Sequence, residues 1–99
     1  MIATYQTSNG NTYTFSFERQ RDGSIRPYID RQPCYGMRNA SLSSTHRGYA
    51  AGRFYIDWAT PLSTEAEVKK LAVLWSECTD VYISTGKTFI GTMCFACRA

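Results

Sequence analysis

Thr12-Tyr13-Thr14-Phe15-Ser16-Phe17-Glu18 alternates apolar and polar residues without a break. Alternation at period two marks a strand with one buried and one solvated face. Asn9-Gly10 precedes this stretch and Asp22-Gly23 follows it. Both dipeptides favour the positive φ angles that tight hairpin turns require. The chain is therefore expected to open as an antiparallel meander of strands at 2–7, 11–20 and 24–31. Tyr13, Phe15 and Phe17 would share one face of the second strand, with Thr12, Thr14, Ser16 and Glu18 on the other. On the third strand Ile25 and Ile29 would point inward, and Arg26, Tyr28 and Asp30 away. Pro27 lacks an N–H donor, which predicts an edge position or a bulge for that strand.

Downstream, residues 32–50 lose this regularity. Pro33, Gly36 and Gly48 punctuate them, and Asn39-Ala40-Ser41-Leu42-Ser43-Ser44-Thr45 is small and polar. The reading is a long loop with room for one helical turn. So long a loop in so short a chain is unusual and is often functional. Alternation returns at Arg53-Phe54-Tyr55-Ile56-Asp57-Trp58, a strand with Phe54, Ile56 and Trp58 on its inner face, ended by Thr60-Pro61.

A helix is expected over 64–78. Thr64 and Glu67 fit a capping box, with Ser63 as an alternative cap. Val68, Leu71, Ala72, Trp75 and Cys78 recur at helical spacing as an apolar stripe. Lys69, Lys70, Ser76 and Glu77 fall on the wetter side, and Glu65 precedes Lys69 in the favourable order for a helical ion pair. Val81-Tyr82-Ile83 and Thr88-Phe89-Ile90 read as two closing strands joined at Thr85-Gly86-Lys87, the second extending as far as Met93-Cys94-Phe95.

The expected fold is thus α+β. An antiparallel sheet of five to six strands, in the order β-β-β-loop-β-α-β-β, carries one amphipathic helix on one face. The expected core is Tyr13, Phe15, Phe17, Ile25, Ile29, Phe54, Ile56, Trp58, Val68, Leu71, Ala72, Trp75, Ile83 and Phe89.

Ninety-nine residues suit one globular domain spanning 1–99. Hydrophobic residues make up 43% and aromatics 14%, which is too apolar for a disordered chain. Met1-Ile2-Ala3-Thr4-Tyr5 lacks the basic and apolar regions of a signal peptide, and the apolar runs are too short to cross a bilayer. The expectation is a cytoplasmic protein with no membrane association. The four cysteines would then be free thiols, with Cys34 and Cys78 behaving as small buried apolar residues.

Several motifs invite a catalytic or cofactor reading. Ser84-Thr85-Gly86-Lys87-Thr88 resembles the end of a phosphate-binding loop, but Val81 stands where that loop needs its first glycine, and a strand is expected to follow rather than a helix. A hairpin turn explains it. Only Arg98 and Ala99 follow Cys94-Phe95-Ala96-Cys97 in this sequence, so the redox helix of a Cys-x-x-Cys motif is not expected here. A zinc site would need two ligands from the isolated Cys34, Cys78 and His46; plain packing is the simpler account. His46 has hydroxyls before it at Ser43, Ser44 and Thr45, but no third group to orient it as a base. Asp57, Glu65 and Glu77 read as dispersed surface charges. No catalytic residue, metal or cofactor is assigned.

Charge gives the remaining signal. The net charge is +3, but residues 1–53 carry seven arginines against three carboxylates, +4, while residues 54–99 balance to −1. The basic half uses arginine alone, whose planar donor fork suits phosphate and carboxylate groups. The candidate binding residues are Arg19, Arg21, Arg26, Tyr28, Arg31 and Arg53 with Tyr55 around the sheet face. Tyr35, Arg38, His46, Arg47 and Tyr49 join them from the 32–50 stretch. Tyrosine and arginine are the residues of interaction hot spots. The expectation is a small non-enzymatic macromolecule-binding protein with a protein partner: an adaptor, inhibitor or regulator. Size and composition alone place phage and mobile-element accessory proteins in the same class. The alternative is nucleic-acid binding by the same basic face, through phosphate contacts and stacking on tyrosine.

Overall fold

The structure is a computed structural model and describes residues 1–87. It is an α+β fold in which a five-stranded antiparallel sheet carries one long helix. The meander consists of β1 (Ile2–Gln6), β2 (Thr12–Arg19) and β3 (Ile25–Arg31). Then come a helical turn, α1 (Leu42–Thr45), and a hairpin of β4 (Arg47–Ala50) and β5 (Arg53–Ile56). Helix α2 (Glu65–Thr85) closes the described chain. The strand order is β1-β2-β3-β5-β4. No helix among the described residues is long and apolar enough to cross a membrane.

The order corrects the placement of Pro27. β3 is internal, and the edges are β1 and β4. Pro27 is tolerated because the ladder from β3 to β5 is reduced to the single pair Tyr28–Tyr55. The neighbouring Ile25 N–H instead donates to the Leu62 carbonyl at 2.8 Å, outside the sheet. β3 does carry a bulge, but at its other end: Thr14 pairs with Arg31 and Phe15 with Ile29, so Asp30 is the extra residue.

Tyr13, Phe15 and Phe17 form the helix-facing side of β2 as expected, all buried. Trp75 stands edge-on to two of these rings, 5.9 Å from Tyr13 and 6.1 Å from Phe15, crossing both at more than 80°. Its indole N–H donates to the Thr45 carbonyl at 3.0 Å, so the largest core residue also pins the end of α1. Ile25, Ile56, Val68, Leu71 and Ala72 complete this core, and Ile29, Trp58 and Ile83 pack partly buried against it. Tyr35 and Tyr82 belong to it as well. Phe54 does not: it is 37% exposed. Phe89, the strand at 88–90 and the pair Cys94/Cys97 lie outside the described residues.

Helix α2 is longer than its first apolar stripe suggests. The Thr64 cap forms as expected, with its hydroxyl bonded to the Glu67 carboxylate at 2.8 Å and accepting the Glu67 N–H at 3.3 Å. The helix then runs through Val81-Tyr82-Ile83, which is no strand. Thr79 and Tyr82 continue the buried stripe below Leu71 and Trp75, and nothing in between breaks the helical period. Termination comes at Gly86, whose φ of 79° gives a left-handed cap with its N–H on the Tyr82 carbonyl at 2.8 Å. The Gly86-Lys87 pair is thus a helix C-cap rather than a hairpin turn. That is the carbonyl end of the helix, which repels phosphate.

Two further side chains differ from expectation. Ser76 is buried and bonds the Ala72 carbonyl at 2.7 Å, and Cys34 is exposed while Cys78 is buried.

Polar contacts fix how α2 sits on the sheet. The Asp80 carboxylate, 3% exposed, accepts from the Tyr13 hydroxyl at 2.5 Å, the Asn11 side-chain amide at 3.1 Å and the Thr7 hydroxyl. One turn earlier Glu77 accepts from the Tyr5 hydroxyl at 2.6 Å and from Ser8.

Replacing Trp75 with Ala should lower unfolding free energy by about 3–5 kcal/mol in urea titrations, since it leaves a cavity and an unpaired Thr45 carbonyl. A pH dependence also follows from Tyr13. Burial first, and then the Asp80 hydrogen bond, raise the pKa of its hydroxyl far above the ordinary 10.0. The unfolded chain therefore loses this proton first as pH rises. Stability is full below pH 10.0 and falls above it, by about 1.4 kcal/mol per pH unit for this group. Urea midpoints measured across that range should show a shallower alkaline fall in Tyr13→Phe than in wild type.

Candidate binding surface

The twelve arginine, tyrosine and histidine candidates separate into two built clusters and a rim. The first cluster lies on the sheet face opposite α2. Ladder registry puts Ser16 opposite Tyr28, and Tyr28 opposite Tyr55, so these side chains share that face. Tyr28 and Tyr55 meet edge-to-face at 6.0 Å. The Arg53 guanidinium lies 3.9 Å from the Tyr28 ring centre and that of Arg26 4.4 Å from Tyr55. Arg53 also bridges Glu18 at 2.6 Å and Asp30 at 3.2 Å, and Ser16 donates to Asp30. Tyr28 is therefore not an open ring for stacking: it is only 5% exposed, roofed by the arginines expected to work beside it. Within this cluster two arginines meet two carboxylates, so the charge closes on itself.

Gly48 makes this cluster possible. It is buried in β4 opposite Tyr55, and the Tyr55 ring lies over its Cα where any Cβ would stand. A side chain here has to push the ring away from Arg26.

The second cluster is a column that runs from the core to the surface at the β4 edge. Tyr82 of α2 meets Tyr35 at 6.2 Å between ring centres. The Arg47 guanidinium sits 4.8 Å from Tyr35 and 4.2 Å from Phe54. Phe54 in turn meets Tyr49 at 4.9 Å. Arg47, 8% exposed, is held by two hydrogen bonds at 2.8 Å, from Nε to the Thr45 hydroxyl and from Nη2 to the Ala40 carbonyl. Tyr35 is buried rather than displayed on a loop, and burial raises the pKa of its hydroxyl against the opposing pull of Gln32 and Arg47. Only the outer end reaches solvent: Tyr49 is 56% exposed, beside the half-exposed Phe54.

Cap and turn geometry at residues 41–52 shapes the outer part of this column. Ser41 caps α1 by accepting the Ser44 N–H at 3.3 Å, and His46 ends it in the left-handed region at φ 51°. From His46 the chain enters β4, and Ala51-Gly52, at φ 54° and 73°, turns it back into β5. Positive φ at both turn positions is the geometry of a two-residue hairpin, and it places Tyr49 opposite Phe54.

The rim residues lie apart from both clusters. Arg38 donates to the Ile83 and Ser84 carbonyls at 3.0 and 3.2 Å, which caps α2. Arg19 donates to the Gly23 carbonyl at 2.6 Å and, at 3.3 Å, to that of Ser63. Arg21 and Arg31 are exposed at opposite ends of the β2–β3 hairpin. His46 is half-buried at the α1 cap. Among the described residues no group of three or more histidine, cysteine, aspartate or glutamate side chains is placed to hold a metal ion.

Phe54 and Gly48 are the site residues that sequence reasoning missed. Both follow once Ala51-Gly52 is read as a turn, because the hairpin then pairs Tyr49 with Phe54 and Gly48 with Tyr55. No family model, curated protein or solved structure matches this chain.

Gly48→Ala should destabilise the fold by about 1–3 kcal/mol through overpacking against Tyr55. In a Tyr55→Ala background the same change should cost little, and a double-mutant cycle of urea midpoints measures the difference.

Proposed function

We propose that this chain is a small non-enzymatic protein-binding protein that docks a protein partner on the β4 edge. The observation that carries this reading is the Tyr49–Phe54 pair: two large rings in solvent, held in fixed geometry on a buried arginine. Exposed aromatic rings on a rigid base have the chemistry of interface anchors, because little side-chain freedom is lost when they are covered. The exposed Met37 and Leu42, in the segment that Arg47 ties to β4 through Ala40, extend the apolar surface available to a partner. The mode of action would be occupancy: covering a partner's surface as an adaptor, inhibitor or regulator does.

The nucleic-acid alternative draws less support. Phosphate binding needs arginines with unused donors along a continuous track. Arg19, Arg38, Arg47 and Arg53 spend donors on acceptors within the chain. Arg21 and Arg31, which make no side-chain hydrogen bond among the described residues, stand at opposite ends of the β2–β3 hairpin, separated by the length of β3, about 20 Å.

Affinity capture from a lysate of the source organism, with wild type beside a Tyr49→Ala/Phe54→Ala variant of unchanged circular dichroism, tests the reading. The variant should lose the captured partner, since aromatic anchors typically contribute 2 kcal/mol or more, about thirtyfold in affinity. Equal capture by both proteins would overturn the β4 edge as the docking site. Salt-sensitive binding of generic oligonucleotides by fluorescence anisotropy, lost in Arg26→Ala/Arg31→Ala, would favour the alternative.

A further inference from the structure

We infer that the cleft in front of Arg47 receives a carboxylate from an acidic segment of the protein partner, with Arg47 and Arg31 as its cationic contacts. This rests on the reading of the β4 edge as a protein-docking site and specifies the chemistry of what docks there. The open cleft has a volume of about 440 Å³ and is lined by Ile29, Arg31, Pro33, Tyr35, Arg47 and Phe54 among others. It lies against the same Arg47–Phe54 contact that supports the exposed aromatic pair.

Arg47 is the reason to expect an acid. A guanidinium as buried as this one is costly to desolvate unless a counter-charge or a full set of acceptors meets it. Arg53, far more accessible, has two carboxylates. Arg47 has none among the described residues: its partners are one hydroxyl, one carbonyl and two ring faces. Its Nη1 makes no hydrogen bond among them. Arg31 lines the same cleft, is exposed, and likewise makes no side-chain hydrogen bond among the described residues. The acidic residue of the cleft, Asp30, is already engaged by Arg53 and Ser16. Two guanidinium groups therefore share a cleft with a single neutralised carboxylate.

The walls favour a carboxylate on a short methylene stem over a free oxyanion. Ile29, Pro33 and the Phe54 ring are apolar surface that a glutamate stem can cover. The Nη1 group of Arg47, which makes no hydrogen bond among the described residues, and the exposed Arg31 match two carboxylate oxygens. The cleft volume lies in the range of small-ligand pockets, ample for one side chain.

The test is a titration of the ¹⁵N-labelled chain with Nα-acetyl-glutamate methylamide, its neutral glutamine counterpart and inorganic phosphate. The readouts are the Arg47 Nε–H resonance and the Tyr35 and Phe54 backbone amides. The expected result is a saturable shift at all three with the glutamate compound, little with the glutamine compound, and several-fold weaker binding in Arg31→Ala. Arg47→Met should abolish the response; should that variant fail to fold, the Arg31→Ala comparison still decides. No saturable shift with the glutamate compound, or an equal one with the glutamine compound, overturns the inference. A phosphate response as strong as that of glutamate overturns its assignment to a carboxylate. Partner capture that depends on Tyr49 and Phe54 without any glutamate response would sink this inference alone. A glutamate response with capture indifferent to Tyr49 and Phe54 would sink the docking site instead.

Discussion

The Asp80 carboxylate determines where the long helix sits, and most of the molecule follows from that. A buried carboxylate is costly unless its lone pairs are met by strong donors. Here Tyr13, Asn11 and Thr7 meet them. All three come from β2 or from the turn that leads into it, so the bond set locks the first hairpin to the last third of α2. Hydrophobic burial alone would tolerate sliding or rotation of α2 over a flat aromatic face, whereas three directional bonds do not. With that register fixed, Trp75 reaches the Thr45 carbonyl and the Tyr82 hydroxyl reaches the Asn39 carbonyl at 2.7 Å. Those two bonds hold the irregular segment between β3 and β4, and Arg47 takes its acceptors from that segment.

The arginines show why formal charge is a poor guide to a surface. The N-terminal half carries an excess of four positive charges, which suggests a basic platform. In the folded chain Arg53 joins two carboxylates and Arg26 lies over Tyr55. Arg38 closes the carbonyl end of α2, and Arg47 is enclosed between rings. Arg26, Arg47 and Arg53 use the planar guanidinium as a structural element that stacks on ring faces and bonds at its edge, and Arg38 uses its edge to bond backbone carbonyls. What reaches solvent as unassigned positive charge is smaller and more scattered than composition implies.

The sequence was legible where local pattern and tertiary burial agree. Alternation at 12–18, the Asn-Gly and Asp-Gly turns and the Thr64 capping box each specify geometry without help from distant residues, and the meander and the helix start appear as read. Reading failed where local propensity and context diverge. Val81-Tyr82-Ile83 has strand-type residues, yet it continues a helix whose buried stripe extends to Tyr82, and β-branching lowers helix propensity only slightly. Ala51-Gly52 makes a hairpin turn without the asparagine or aspartate that usually signals one, so nothing local marks β4 off from a loop. Phe54 then inherited a core position from simple alternation, although β5 leaves it at the rim. Asp80 gave no signal of its own, because a single aspartate in a helix reads as surface until its donors, all at least 67 residues earlier in the chain, are placed beside it.

Two of these differences, β4 and the exposed Phe54, fall in one region, and there is a physical reason for it. Residues 32–54 are held by long-range contacts: Trp75 to Thr45, Tyr82 to Asn39, and Arg38 to the end of α2. A segment whose conformation is set by the opposite end of the chain carries little local code. It is therefore free to hold residues chosen for what they present outward. Ala51 at positive φ and a buried arginine that meets no carboxylate among the described residues each cost stability locally. Neither improves the core, which Trp75 and the β2 aromatics already fill. Such costs concentrate where a surface has work beyond folding, and here they border the exposed Tyr49–Phe54 pair. That coincidence, more than the count of arginines, is the argument for placing the proposed function at the β4 edge.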